Sequence, residues 1–222
     1  MRHLLAIILI LLLVLPVNAG DAWIVEPEQG QVSKNIVFVL DISGSMQPEE
    51  LSRGISTMMT LLEQPIDEMN VAVIAFSDGT YVWPGPKQKG PLVEQSKLPS
   101  NWLEMPNKDG LNELHAWVKQ LKAGGGTNMH GAIREAVCQN VSPLTIIVIS
   151  DGQYTSLDDN LPNPHADLFK YLTELNVWRV DKKFEPYTLG FILTQHITEQ
   201  SRSNYKDFCK ANKFFYLQLN SQ

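Results

Sequence analysis

The apolar run Asn35-Ile36-Val37-Phe38-Val39-Leu40 is followed at once by Asp41-Ile42-Ser43-Gly44-Ser45. No other stretch constrains the fold as much. A run rich in β-branched residues and bounded by polar ones reads as a buried strand. Met46 to Leu62 reads as a helix, because Leu51, Ile55, Met58, Met59 and Leu62 recur at helical spacing on one face. The methionines on that face are expected to fill core space. One carboxylate and two hydroxyls thus gather on a strand-to-helix turn, where Gly44 lets the backbone bend. Hard oxygen ligands on a tight loop suit a hard divalent cation such as Mg²⁺. The carboxyl end of a strand in an open α/β sheet is also where ligands usually bind. Capping of the helix would account for the same residues without any ligand.

Strand and helix patterns then alternate. Asn70–Phe76 is a second buried strand, and Ser77-Asp78-Gly79 a turn. Thr80–Trp83 alternates and stops at Pro84, as an antiparallel edge strand would. Residues 85–108 show little periodicity and read as a long loop, with Trp83 before it and Trp102 within it, both expected to pack onto the body. Asp109–Leu121 returns to helix. Gly124-Gly125-Gly126-Thr127 follows, its glycines allowing close approach of the backbone to something else. Thr127 is expected to begin a helix running to about Cys138, and a capping role would explain it. Leu144–Ile149 is a third buried strand, ending in Ser150-Asp151-Gly152. Asp158-Asp159-Asn160 lies in a polar loop. Helices are expected over Asp167–Trp178 and Thr198–Asn212, with strands over Tyr187–Leu193 and Lys213–Leu219. This alternation predicts a doubly wound α/β sheet, mostly parallel with one antiparallel edge strand and helices on both faces.

The 222-residue chain carries a net charge of -6 and has no basic block, which argues against a nucleic-acid surface. Arg2 followed by the apolar run Leu4–Leu15 and the small-residue site Val17-Asn18-Ala19 reads as a signal peptide over 1–19. Its apolar run is shorter than the ~20 residues that span a bilayer; an uncleaved anchor is the alternative, and the sole expected route to a membrane. Polar residues 20–34 read as a linker to a single domain over 35–222. Export to a periplasm or secreted space makes pairing of Cys138 with Cys209 the expectation, over two separate thiols. Such a bridge would contribute about 4 kcal/mol on the chain-entropy model.

Asp41, Ser43, Ser45, Thr127 and Asp151 all fall on loops leaving one edge of the predicted sheet. If the strands ending in Asp41 and Asp151 are neighbours, all five oxygens can converge on one ion. Here the chain resembles the von Willebrand factor type A domain. Its Asp-x-Ser-x-Ser, Thr and Asp loops resemble that family's metal-ion-dependent adhesion site, and the resemblance runs from about Asn35 to Leu219.

The resemblance implies a Rossmann-like fold and a protein-binding module. In that family the serines hold the metal directly, the threonine directly or through water, and the aspartates mostly through water. An Asp or Glu of another protein then completes the shell. A site with few direct protein charges leaves Mg²⁺ ready for an outside carboxylate; Mn²⁺ or Ca²⁺ are alternatives, and the lack of soft ligands disfavours zinc. The chain ends soon after its last strand, so the family's C-terminal helix switch is expected to be absent. Two other readings compete. One is a scaffold whose metal site is vacant or purely structural. The other is a metal-dependent hydrolase using Asp41 or Ser43 as nucleophile, which lacks a Gly-x-Ser-x-Gly elbow and has only His130 near the Thr127 loop.

Overall fold

A computed structural model describes residues 24–25, 33–63, 69–83, 103–105, 108–139, 141–153, 164–194 and 197–219. The expected signal peptide, Trp102, the run Asp158-Asp159-Asn160 and the residues after Leu219 lie outside the described residues. In chain order the elements are β1 (Ile24–Val25), β2 (Asn35–Asp41), α1 (Pro48–Leu62), β3 (Met69–Phe76), β4 (Thr80–Trp83), β5 (Leu103–Met105) and α2 (Lys108–Val118), then α3 (Met129–Val137), β6 (Thr145–Ser150), α4 (Pro164–Asp181), β7 (Thr188–Leu193), α5 (Glu199–Asn212) and β8 (Phe215–Gln218).

These strands form one sheet in the order β1-β8-β7-β6-β2-β3-β4. The five central strands are parallel. β4 closes one edge antiparallel to β3, as its alternating pattern suggested. The expected doubly wound, mostly parallel sheet is present, with two more short antiparallel strands than the sequence revealed. β5, inside the stretch read as loop, pairs with Met69–Val71. β1, inside the stretch read as linker, pairs with Tyr216 and Leu217 of β8. Strands of two or three residues are too short to show a period of two, so neither left a signal.

Pleating sends alternate residues of β2 to opposite faces. Ile36, Phe38 and Leu40 pack with Met58, Met59 and Leu62 of α1 and with Leu114 and Val118 of α2. Val37 and Val39 face the other way, toward Ile133 of α3, Leu168 and Leu172 of α4, and Tyr205 of α5. Both faces are therefore covered, which is why the central strands read as unbroken apolar runs. Trp83 is also buried, so it packs inward and offers no exposed surface.

The chain leaves β2 through α1 to reach β3 on one side, whereas β6 lies on the other side of β2. The carboxyl ends of β2 and β6 thus flank the point where strand order reverses. Ligand crevices in open α/β sheets form at such points.

The expected disulfide does not form. Cys138 sits exposed just past α3, while Cys209 is buried on α5 with its thiol donating to the Phe215 carbonyl at 3.5 Å. α4 packs against both α3 and α5 and separates the two thiols. Burial pushes the Cys209 thiol above its ordinary range.

α4 runs three residues further at each end than its sequence pattern suggested, and this carries Arg179 into the interior with no exposed surface. Its guanidinium donates to the carbonyls of Val137 at 2.8 Å, Gln139 at 2.9 Å and Glu185 at 3.0 Å, and also to Val141. Arg179 therefore satisfies carbonyls at the negative end of α3, which have no helical partner of their own. Burial lowers its pKa, but the ring of carbonyls holds the cation. Arg179→Met would leave those acceptors unpaired in the interior. We expect a loss of about 1–3 kcal/mol, read by urea denaturation; a change below about 0.5 kcal/mol would remove this role.

Candidate functional site

Asp41 is the last residue of β2 and is fully buried. Its Oδ1 accepts the Ser43 N–H at 2.8 Å and its Oδ2 accepts the Ser150 hydroxyl at 2.7 Å. The parallel register pairs Leu40 with Ile149, which sets Asp41 beside Ser150 one step further on. Ser150 Oγ also accepts the Gly152 N–H at 3.1 Å, so one hydroxyl links the first loop to the third. The hydroxyl oxygens of Ser43 and Ser45 lie 3.0 Å apart; Ser43 is buried and Ser45 half-buried.

Asp151 follows β6 and is also fully buried. Its Oδ1 accepts the Gln153 N–H at 2.8 Å. Its Oδ2 is buried and has no hydrogen-bond partner among the described residues. Such an oxygen is rare in a folded protein, because desolvating a carboxylate is costly unless something takes its lone pairs.

The Gly-rich loop reaches the first loop through two backbone hydrogen bonds. Gly44 N–H donates to the Gly125 carbonyl and Gly124 N–H to the Ile42 carbonyl, both at 2.9 Å. Thr127 is half-buried in this loop. It does not cap α3 as the sequence suggested. Asn128 is the cap, its Oδ1 accepting the Gly131 N–H at 3.1 Å. The Thr127 hydroxyl makes no hydrogen bond among the described residues, so capping does not account for its presence.

The structure therefore brings together the loops carrying all five expected residues. Asp41 and Asp151 are close enough for their charges to interact. Burial pushes the Asp41 carboxyl up to about 6, and the Asp151 charge adds to the rise, against hydrogen bonds from Ser150 and Ser43 that lower it. Two carboxylates and three hydroxyls make up the oxygen set. No group of three or more His, Cys, Asp or Glu side chains suited to a metal occurs among the described residues, so the donor chemistry here is hard and weakly charged.

Sequence reasoning missed three residues that build this geometry. Ser150 was hidden as the polar end of a strand. Asn128 was overshadowed by Thr127. Asp78 looked like turn chemistry, yet its Oδ1 accepts the Gly126 N–H at 2.8 Å. The start of α1 is fixed from another side: the Thr194 hydroxyl contacts the Met46 sulfur at 3.8 Å, and Arg53 Nη1 donates to the Thr194 carbonyl at 2.7 Å. His130 is buried against the edge of Tyr171, with Nε2 3.9 Å from Asp167 Oδ2. Burial lowers its pKa, with Asp167 opposing. His165 packs on Tyr205 beneath the third loop.

The raised Asp41 carboxyl ties stability to pH. The folded state holds this proton more tightly than the unfolded chain, whose Asp titrates near 3.8. The contribution to stability is complete below that value and is lost as pH rises through about 6. The change amounts to about 3 kcal/mol. In EDTA, urea denaturation from pH 4 to 7 should show this loss in the natural protein and a smaller one in Asp41→Asn. Parallel profiles for the two proteins would rule it out.

The sequence matches the family model described as von Willebrand factor type A domain over residues 36–153, just over half of the chain. Among curated proteins it is similar to inter-alpha-trypsin inhibitor heavy chain H2 of Homo sapiens, 26% identical over 135 residues, or 56% of this chain and 13% of that protein. It is similar also to inter alpha-trypsin inhibitor, heavy chain 4 of Mus musculus, 27% identical over 142 residues, or 58% of this chain and 13% of that protein. The chain thus spans about an eighth of the length of these relatives. Among solved structures, an aerotolerance-related membrane protein from Bacteroides fragilis matches with a TM-score of 0.48 at 13% identity, covering 84% of this chain and 92% of that one. By sequence match, the chain belongs to the von Willebrand factor type A domain family.

Proposed function

We propose that this domain binds another protein through a divalent metal held by Ser43, Ser45, Thr127, Asp41 and Asp151, to which the partner adds an Asp or Glu carboxylate. The observation that carries the reading is the buried Oδ2 of Asp151, unpartnered on a loop joined to the Asp41 turn. A cation at that oxygen would supply what no donor among the described residues does. The 3.0 Å separation of the two serine hydroxyls adds support, since neighbouring oxygens around Mg²⁺ at 2.0–2.1 Å lie about 3 Å apart. Mg²⁺ fits this donor set best, with Mn²⁺ or Ca²⁺ as substitutes. The metal would supply an electron-poor centre for an incoming carboxylate. The protein's own residues orient the hydroxyls and keep Asp41 buried.

The reading is of a binding module, with no catalytic step. His130, the nearest histidine in sequence to the Thr127 loop, already faces Asp167 and Tyr171. We further propose that the domain works outside the cytoplasm, from the apolar run and small-residue site at the N-terminus. No helix among the described residues is long and apolar enough to cross a membrane.

Two measurements test the proposal. Mg²⁺ at a hundredfold excess over its Kd should stabilise the protein by about 2.7 kcal/mol, raising Tm by about 5–10 °C, with EDTA reversing the gain. Metal binding should also reverse the stability loss above pH 4, because the ion requires ionised Asp41. In the second measurement, immobilised protein should retain its partner in Mg²⁺ and release it in EDTA, while Asp41→Ala and Asp151→Ala retain none. Retention that ignores EDTA and both substitutions would exclude the metal-mediated mode.

A further inference from the structure

We propose that Asp78 is a positioning residue of this site, holding the Thr127 loop in place from the turn after β3. The inference rests on the metal-binding reading and adds a fourth loop to it. Thr127 is bracketed by two hydrogen bonds to that turn. On its N-terminal side the Gly126 N–H donates to Asp78 Oδ1 at 2.8 Å. On its C-terminal side the Asn128 N–H donates to the Ser77 carbonyl at 2.8 Å. A residue pinned at both neighbours has little freedom to move its own backbone.

The glycines follow from the same contact. Gly125 has φ +81, and a Cβ there would lie 2.4 Å from Asp78 Oδ2. A Cβ on Gly126 would lie 2.6 Å from Asp78 Oδ1. The Asp78 carboxylate occupies the space that two side chains would need. Gly125 is at the same time the residue whose carbonyl receives the Gly44 N–H. One short peptide segment is thus gripped by Asp78 on one side and by the Asp41 loop on the other. Asp78 is exposed, so its grip is not a by-product of core packing. Residues that orient metal ligands through hydrogen bonds commonly alter metal affinity by 10–100-fold when removed.

Asp78→Ala and Asp78→Asn separate this role from others, with Asp151→Ala as the control lacking a metal ligand. In EDTA, NMR should show the Gly126 amide losing hydrogen-exchange protection in Asp78→Ala and keeping it in Asp78→Asn, which still presents Oδ1. Calorimetry should then give Mg²⁺ affinity at least tenfold weaker for Asp78→Ala and within about threefold of the natural protein for Asp78→Asn. Unchanged Gly126 protection and unchanged affinity in Asp78→Ala would overturn the proposal. So would equal damage from both substitutions, which would assign the effect to charge. If the natural protein itself takes up no Mg²⁺, the metal reading fails, and Gly126 protection alone decides whether Asp78 anchors the loop.

Discussion

Two buried carboxylates stand at the ends of adjacent parallel strands, and much of the upper edge of this molecule is arranged around keeping them there. Asp41 and Asp151 would repel each other across the β2–β6 junction if both were ionised without help. The Ser150 hydroxyl, placed between them by strand register, donates to one and receives the amide of the loop that follows the other. That single side chain fixes the geometry but cannot cancel the charge. Burial, with the Asp151 charge adding to it, pushes the Asp41 carboxyl up to about 6, and an Asp151 oxygen is left with no donor among the described residues. Arrangements of this kind persist when the surrounding sheet over-determines them, and they cluster at functional sites.

The sheet that imposes this was largely legible in the sequence. Strands covered on both faces appear as apolar runs such as Val37-Phe38-Val39, and helices such as α1 show an apolar stripe. Asp41 and Asp151 stood out because each terminates such a run. What could not be read was anything decided by contact between distant segments. Arg179 lies just past the end of the helix expected from sequence, yet it is buried because four carbonyls left over from other segments converge there. The two cysteines suggested a bridge from compartment chemistry, but the insertion of α4 between their helices is a matter of packing, which cysteine spacing does not encode. The short strands β1 and β5 exist through their neighbours' open edges more than through their own patterns.

At the candidate site the same division holds. The five oxygen-bearing residues were legible as types in a given order. The reason for the glycine run was not. Its glycines were expected to let the backbone approach something, and that something is a pair of loops: Asp78 presses on Gly125 and Gly126, while a Cβ on Gly124 would meet nothing within 4 Å. Asn128 took the capping role that had been assigned to its neighbour, because its side chain reaches the Gly131 amide. These are choices between adjacent residues with similar chemistry, and only the path of the backbone separates them.

The placement of the candidate site at the tips of two central parallel strands has a mechanical consequence. A pull applied at Asp41 and Asp151 would act along the axes of β2 and β6. Five registered residue pairs join these strands, and β2 is flanked on its other side by β3. Ladder bonds lie roughly across the strands, so tension of this direction strains them in shear, where they resist together. Force applied at the β4 edge would instead open its bonds one after another, like a zipper.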